Sequence, residues 1–178
     1  MAQHQTDLAF HDHDHSHDAC IADGIALAEA RAAAAGQRLT PQRRQVLEIL
    51  LADHQPLGAY EILERMADKD GNKPAPPIAY RALDFLRSLG VVHRIDRLNA
   101  FMACGLDHGG KADHSDCAGG MAFLICERCN RAAELSGDSL RKQLSSLADG
   151  AGFEMHSATV ELMGLCPKCR NNDCRDAA

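Results

Sequence analysis

Apolar positions recur along this chain at helical spacing through the first half and in shorter alternating runs afterwards. The Ala-rich run from Ile21 to Ala35 predicts a helix that stops at Gly36, where a left-handed backbone is tolerated. Thr40 and Pro41 predict the next start, because threonine caps free N–H groups and proline's missing N–H costs nothing in a first turn. Val46, Leu47, Ile49, Leu50 and Leu51 continue that helix as an apolar face as far as Ala52. A third helix is expected from about Ala59 to Ala67, with Ile62, Leu63 and Met66 inward. Pro76-Pro77 opens a fourth, with Ile78, Ala82, Phe85, Leu86 and Leu89 on one side and Tyr80, Arg81, Asp84, Arg87 and Ser88 on the other. Beyond Gly90, residues 91–95 and 100–103 read as two strands about a turn. Helices followed by a β-hairpin are the plan of a winged helix-turn-helix, and the fourth helix is then the one that reads DNA.

After a Gly-, Asp- and His-rich connector over residues 106–120, the pattern changes. Residues 121–126 and 132–135 read as strands, 139–147 as an amphipathic helix, and 153–163 as a long strand. The fold class is α+β, with an N-terminal winged-helix domain and a small C-terminal α/β domain. Residues 1–19 are expected to be a disordered arm in which histidine alternates with small polar residues, residues 20–104 the DNA-binding domain with its hinge, and residues 105–178 the second domain.

Cysteine spacing adds the strongest chemistry. Cys126/Cys129 and Cys166/Cys169 are two Cys-x-x-Cys pairs, and four soft thiolates in tetrahedral array suit a structural zinc ion. Such a site closes the second domain by pinning the C-terminal segment to its middle. Redox dithiols or disulfides are the competing reading. Eight cysteines in a chain that opens without an export signal fit a reducing, cytoplasmic setting, and no apolar run approaches the length of a membrane span.

Charge bears on the partner only once it is divided along the chain. The net charge is −6, which argues weakly against nucleic acid, and residues 1–19 and 98–178 are both net acidic. Residues 72–97, however, hold five basic side chains against two acidic ones. Remote charges are screened within roughly 10 Å, so a locally basic face can bind phosphates inside an acidic protein.

These residues together resemble the ferric uptake regulator family, and within it the zinc uptake regulators. The match is carried by residues 39–43, Ala59-Tyr60, residues 76–86, residues 90–93 and the two Cys-x-x-Cys pairs. The resemblance implies a homodimeric, metal-dependent transcriptional repressor of zinc uptake genes that binds double-stranded operator DNA and dimerises through its C-terminal domain. It implies base reading by Tyr80 and Arg81, with Arg43, Arg44 and Tyr60 touching the DNA backbone or minor groove. An arginine suits guanine and can also serve as a phosphate clamp, while Tyr80 can equally be a packing residue. The resemblance further implies a regulatory zinc at the domain hinge, bound by His93, Cys104, His114 and Glu134, with His108 or Cys117 as substitutes for His114. At least two zinc ions per protomer follow. One thiolate among imidazoles and a carboxylate favours zinc over iron.

Enzyme signatures are missing: neither His-Glu-x-x-His nor His-x-Glu with a later Pro-Cys-x-x-Cys occurs. An iron- or peroxide-responsive member of the same family is the alternative, and a zinc-storage protein a more distant one.

Overall fold

The computed structural model describes Phe10 and residues 17–53, 55–104, 121–135 and 138–172. The disordered arm expected over most of residues 1–19, the connector, and with them His108, His114 and Cys117, lie outside the described residues. What is described falls into two compact units, one holding residues 17–104 and the other residues 121–172 with Phe10. No helix among the described residues is long and apolar enough to cross a membrane.

The first unit contains α1 (His17–Ala34), α2 (Pro41–Asp53), β1 (Leu57–Gly58), α3 (Ala59–Arg65), α4 (Pro76–Ser88), β2 (Val92–Ile95) and β3 (Ala100–Ala103). Helix α1 begins four residues before the expected start. It ends at Ala34, and Gly36 two residues on, at φ 67°, lets the backbone reverse. Ala28 and Ala32 are fully buried, so α1 packs with its backbone close to its neighbours. Val46, Leu47, Leu50 and Leu51 of α2 sit in the same core as Ile62 and Leu63 of α3 and Leu83 and Leu86 of α4. Glu61 accepts a 2.7 Å hydrogen bond from the Gly58 N–H, which fixes the start of α3.

Helix α4 buries Ala79, Ala82, Leu83, Phe85 and Leu86 and exposes Tyr80, Arg81, Asp84, Arg87 and Ser88. Ile78, expected inward, is instead 36% exposed. Its direction lies between those of the buried Ala82 and Phe85, but Ile78 sits in the first turn of α4, a turn or more before either of them. Arg31 of α1 donates to the carbonyls of Leu89 (2.8 Å) and Gly90 (3.0 Å), satisfying groups left open where α4 ends. Strands β2 and β3 then form the wing hairpin, with Val92 opposite Ala103 and Ile95 opposite Ala100. A short strand absent from the sequence reading, β1, pairs antiparallel with β3 at Leu57 and Gly58 and completes a three-stranded sheet. At two residues it is too short to leave a periodic signal.

The second unit contains β4 (Met121–Cys126), β5 (Ala132–Leu135), α5 (Asp138–Gly150), β6 (Thr159–Gly164) and the short α6 (Pro167–Arg170). The sheet order is β5-β4-β6, antiparallel between β4 and β5 and parallel between β4 and β6. The expected long strand over residues 153–163 is only six residues, because β4 offers six partners, from Met121 opposite Thr159 to Cys126 opposite Gly164. Phe123, Ile125 and Cys126 on the central strand are buried.

Candidate metal centres and nucleic-acid interface

Strands β4 and β6 run parallel and side by side, so both leave the sheet at the same end and deliver their Cys-x-x-Cys turns to one place. Cys126 ends β4, and the turn to Cys129 is closed by a 2.9 Å hydrogen bond from the Asn130 N–H to the Cys126 carbonyl, with Asn130 left-handed at φ 56°. Cys166 caps α6, its sulfur accepting from the Cys169 N–H at 3.4 Å. Arg128 ties the two turns together, donating through Nη1 to the Cys169 carbonyl and to Asn172 Oδ1, both at 2.9 Å. It was missed in the sequence, although its place between the first two cysteines is a usable signal.

The four thiols are free, and their Sγ atoms all lie within 4.8 Å of one another. Cys129 Sγ and Cys166 Sγ are 3.8 Å apart. A tetrahedral zinc with Zn–S bonds near 2.3 Å requires sulfur–sulfur distances of about 3.8 Å, so the donor set fits that ion in kind and in spacing. Burial opposes ionisation of Cys126, but hydrogen bonds from the backbone of Cys166, Cys129 and Arg128 outweigh it and bring the thiol down to about 6. Burial instead pushes Cys129 up to about 11. Cys126 is thus disposed to ionise before Cys129. Phe10 packs against the buried cluster of Cys126, Cys166 and Cys169.

In the first unit, His93 on β2 and Cys104 just past β3 present ligand atoms within 4.8 Å of each other. The Cys104 N–H bonds the Val91 carbonyl at 3.0 Å, which holds the thiol at the base of the wing. Burial, with the positive charges of Arg31 and Arg87, lowers the His93 pKa to about 4. The imidazole is therefore neutral at physiological pH, the form that binds metals. Glu134 lies on β5 of the second unit, opposite Phe123.

The exposed side of α4 carries two of the residues expected to contact DNA. Tyr80 and Arg81 both face solvent. Tyr60, at the start of α3, is 72% exposed, and with Tyr80, Arg87 and Arg94 it lines a cleft of about 150 Å³ between α3, α4 and the wing. Arg43 and Arg44 are engaged inside the unit. Arg43 donates to the Arg38 carbonyl at 2.8 Å and stacks 3.4 Å over the Phe85 ring, while Arg44 pairs with Glu29 and Glu48. Either one would have to exchange these contacts for a phosphate.

A winged-helix unit joined in one chain to a sheet unit with a four-thiol cage is a two-domain, metal-binding architecture. The chain belongs to the ferric uptake regulator family, whose model matches residues 34–163. It is similar to the zinc uptake regulation protein of Escherichia coli (strain K12), with 32% identity over 145 residues that cover 82% of this chain and 80% of that protein. Among solved structures it resembles holo XcZur, at 39% identity and TM-score 0.68 over 85% of this chain and 99% of the other. It also resembles a zinc uptake regulator complexed with zinc and DNA, at 29% identity and TM-score 0.73 over 86% and 97% of the two chains.

Proposed function

We propose that this chain is a zinc-responsive transcriptional repressor that binds operator DNA as a homodimer and controls zinc uptake genes in the cytoplasm, with no catalytic role. Support for zinc sensing comes from the pairing of a thiol with a neutral imidazole at the base of the wing, in a chain 39% identical to holo XcZur. His93 and Cys104 supply ligands from the DNA-binding unit; His114 and Glu134 complete the set in this reading, with His108 and Cys117 as substitutes for His114. The Cys126/Cys129/Cys166/Cys169 cage holds the other zinc, giving at least two ions per protomer. In both places the metal supplies Lewis-acid bonds that cross-link side chains distant in sequence.

Ligands contributed by both units meet at one relative arrangement only, so their joint binding selects that arrangement from the ensemble. Operator DNA selects it too when two copies of α4 must lie about one helical turn of DNA apart. The second copy is supported by apolar side chains that the sheet unit leaves open, among them Leu147, Phe153 and Leu162. Tyr80 and Arg81 read bases, and Tyr60, Arg43 and Arg44 position the backbone.

The test is binding of the metal-stripped protein to a duplex from a zinc uptake promoter, with zinc, ferrous iron or manganese added back. Zinc restores binding in this reading. Cys104→Ser leaves a folded dimer that keeps its cage zinc and loses zinc-dependent binding. Restoration by iron alone, or undiminished zinc dependence in the Cys104 variant, overturns the reading.

A further inference from the structure

Helix α4 turns Ala79, Ala82, Leu83, Phe85 and Leu86 into the core. At 3.6 residues per turn the row opposite them runs through Pro77, Arg81, Asp84 and Ser88, and all four are exposed. The outermost row of the reading helix therefore carries one guanidinium and one carboxylate, three residues apart. Among the described residues Arg81 takes no hydrogen-bond or ion-pair partner. Asp84 leans the other way: its Oδ1 lies 3.6 Å from Arg87 Nη1, and its side chain remains 73% exposed. It also lines the cleft shared by Tyr60, Tyr80 and Arg94.

A carboxylate on a surface that meets phosphates weakens binding to every duplex in which it finds no donor. Only an amine on a base edge supplies one. In the major groove cytosine offers its N4 amine, whereas guanine and thymine turn acceptors to that space and repel a carboxylate. Adenine offers an N6 amine beside the N7 acceptor, a pattern matched better by an amide than by a carboxylate.

We propose that Asp84 is a specificity-determining residue, accepting a hydrogen bond from the N4 amine of a cytosine in the operator. The proposal rests on the reading of α4 as the DNA-reading helix. Asp84 acts by exclusion as much as by attraction, and Arg81, on the same row, has the complementary preference for guanine.

The test is selection from a pool of randomised duplexes by the full-length, zinc-loaded protein and by D84A and D84N. Titrations on the enriched duplex and its single-base variants follow, with zinc content and circular dichroism checked for each protein. The wild type enriches a motif with cytosine at one position. D84A loses that preference by about tenfold or more while binding random duplex more tightly, and D84N moves the preference toward adenine. If both variants enrich the unaltered wild-type motif, Asp84 does not read a base, while the DNA-binding role stands. If the zinc-loaded wild type enriches nothing, the DNA-reading role of α4 falls and the Asp84 assignment falls with it.

Discussion

At the residue scale, much of the first unit's order around α4 passes through Arg31. Its guanidinium spans from α1 to the two carbonyls left open as α4 ends, Leu89 and Gly90, and its charge helps to keep His93 neutral. Gly90 stands at φ 68° here, and an added Cβ would meet Arg31 Nη1 at 3.0 Å, so the glycine is needed both for the turn and for the clamp. Arg31→Ala removes two hydrogen bonds from a charged donor and leaves part-buried carbonyls unsatisfied, which predicts a loss of about 1–3 kcal/mol. Thermal denaturation of the zinc-loaded protein measures it. Arg31→Lys should recover only part of the loss, since the three donors of an ammonium on a flexible stem are not held in the rigid plane from which the guanidinium nitrogen serves both carbonyls. Full recovery by lysine would show that charge alone matters.

At the scale of elements, the cage depends on the parallel pairing of β4 and β6, and Arg128 locks the two cysteine turns that follow them. Arg128→Ala leaves all four thiols in place but cuts the bonds to Cys169 and Asn172. The expected outcome is zinc loss to a chelator several-fold faster than in the wild type, in line with the 10–100-fold effects of outer-shell changes on metal affinity. Cys126→Ser should instead prevent retention of that zinc altogether and melt the second unit. Equal release rates for wild type and the Arg128 variant would remove the clamp from the account. Much of this architecture was legible in the sequence. The 3.6-residue spacing of α2 and α4, the Pro starts and the duplicated cysteine spacing all report local physics, and the folded chain keeps them. Three things were not legible. β1 is two residues long, β6 is cut to the length of its partner, and Ile78, in the first turn of α4, is left exposed. The two strands were each decided by a partner remote in sequence. Likewise His93 and Cys104 are unremarkable one at a time, and only the β2–β3 hairpin brings their ligand atoms together.

At the scale of the whole molecule, a net charge of −6 and a DNA-binding role are compatible because the stretch that contains α4 and the wing is locally basic, with five basic side chains against two acidic ones over residues 72–97. Electrostatic attraction is then local, and an acidic protein gains little general affinity for DNA, which leaves the metal room to govern binding. If zinc and operator select the same arrangement, their coupling is one free energy seen from either side. The factor by which zinc tightens DNA binding must equal the factor by which the duplex tightens zinc binding. A coupling of about 1–3 kcal/mol makes that factor about 5–150. Competition with a chromogenic chelator, in the presence and absence of a zinc uptake operator duplex, reads the second factor, and DNA titrations of cage-loaded protein with and without added zinc read the first. One zinc per protomer should tighten by the measured factor while the cage zinc is unmoved, and Cys104→Ser should abolish the tightening. A duplex that tightens the cage zinc equally, or two factors that disagree, would mean that the cage itself is the sensor or that zinc acts on DNA binding through assembly rather than through His93 and Cys104.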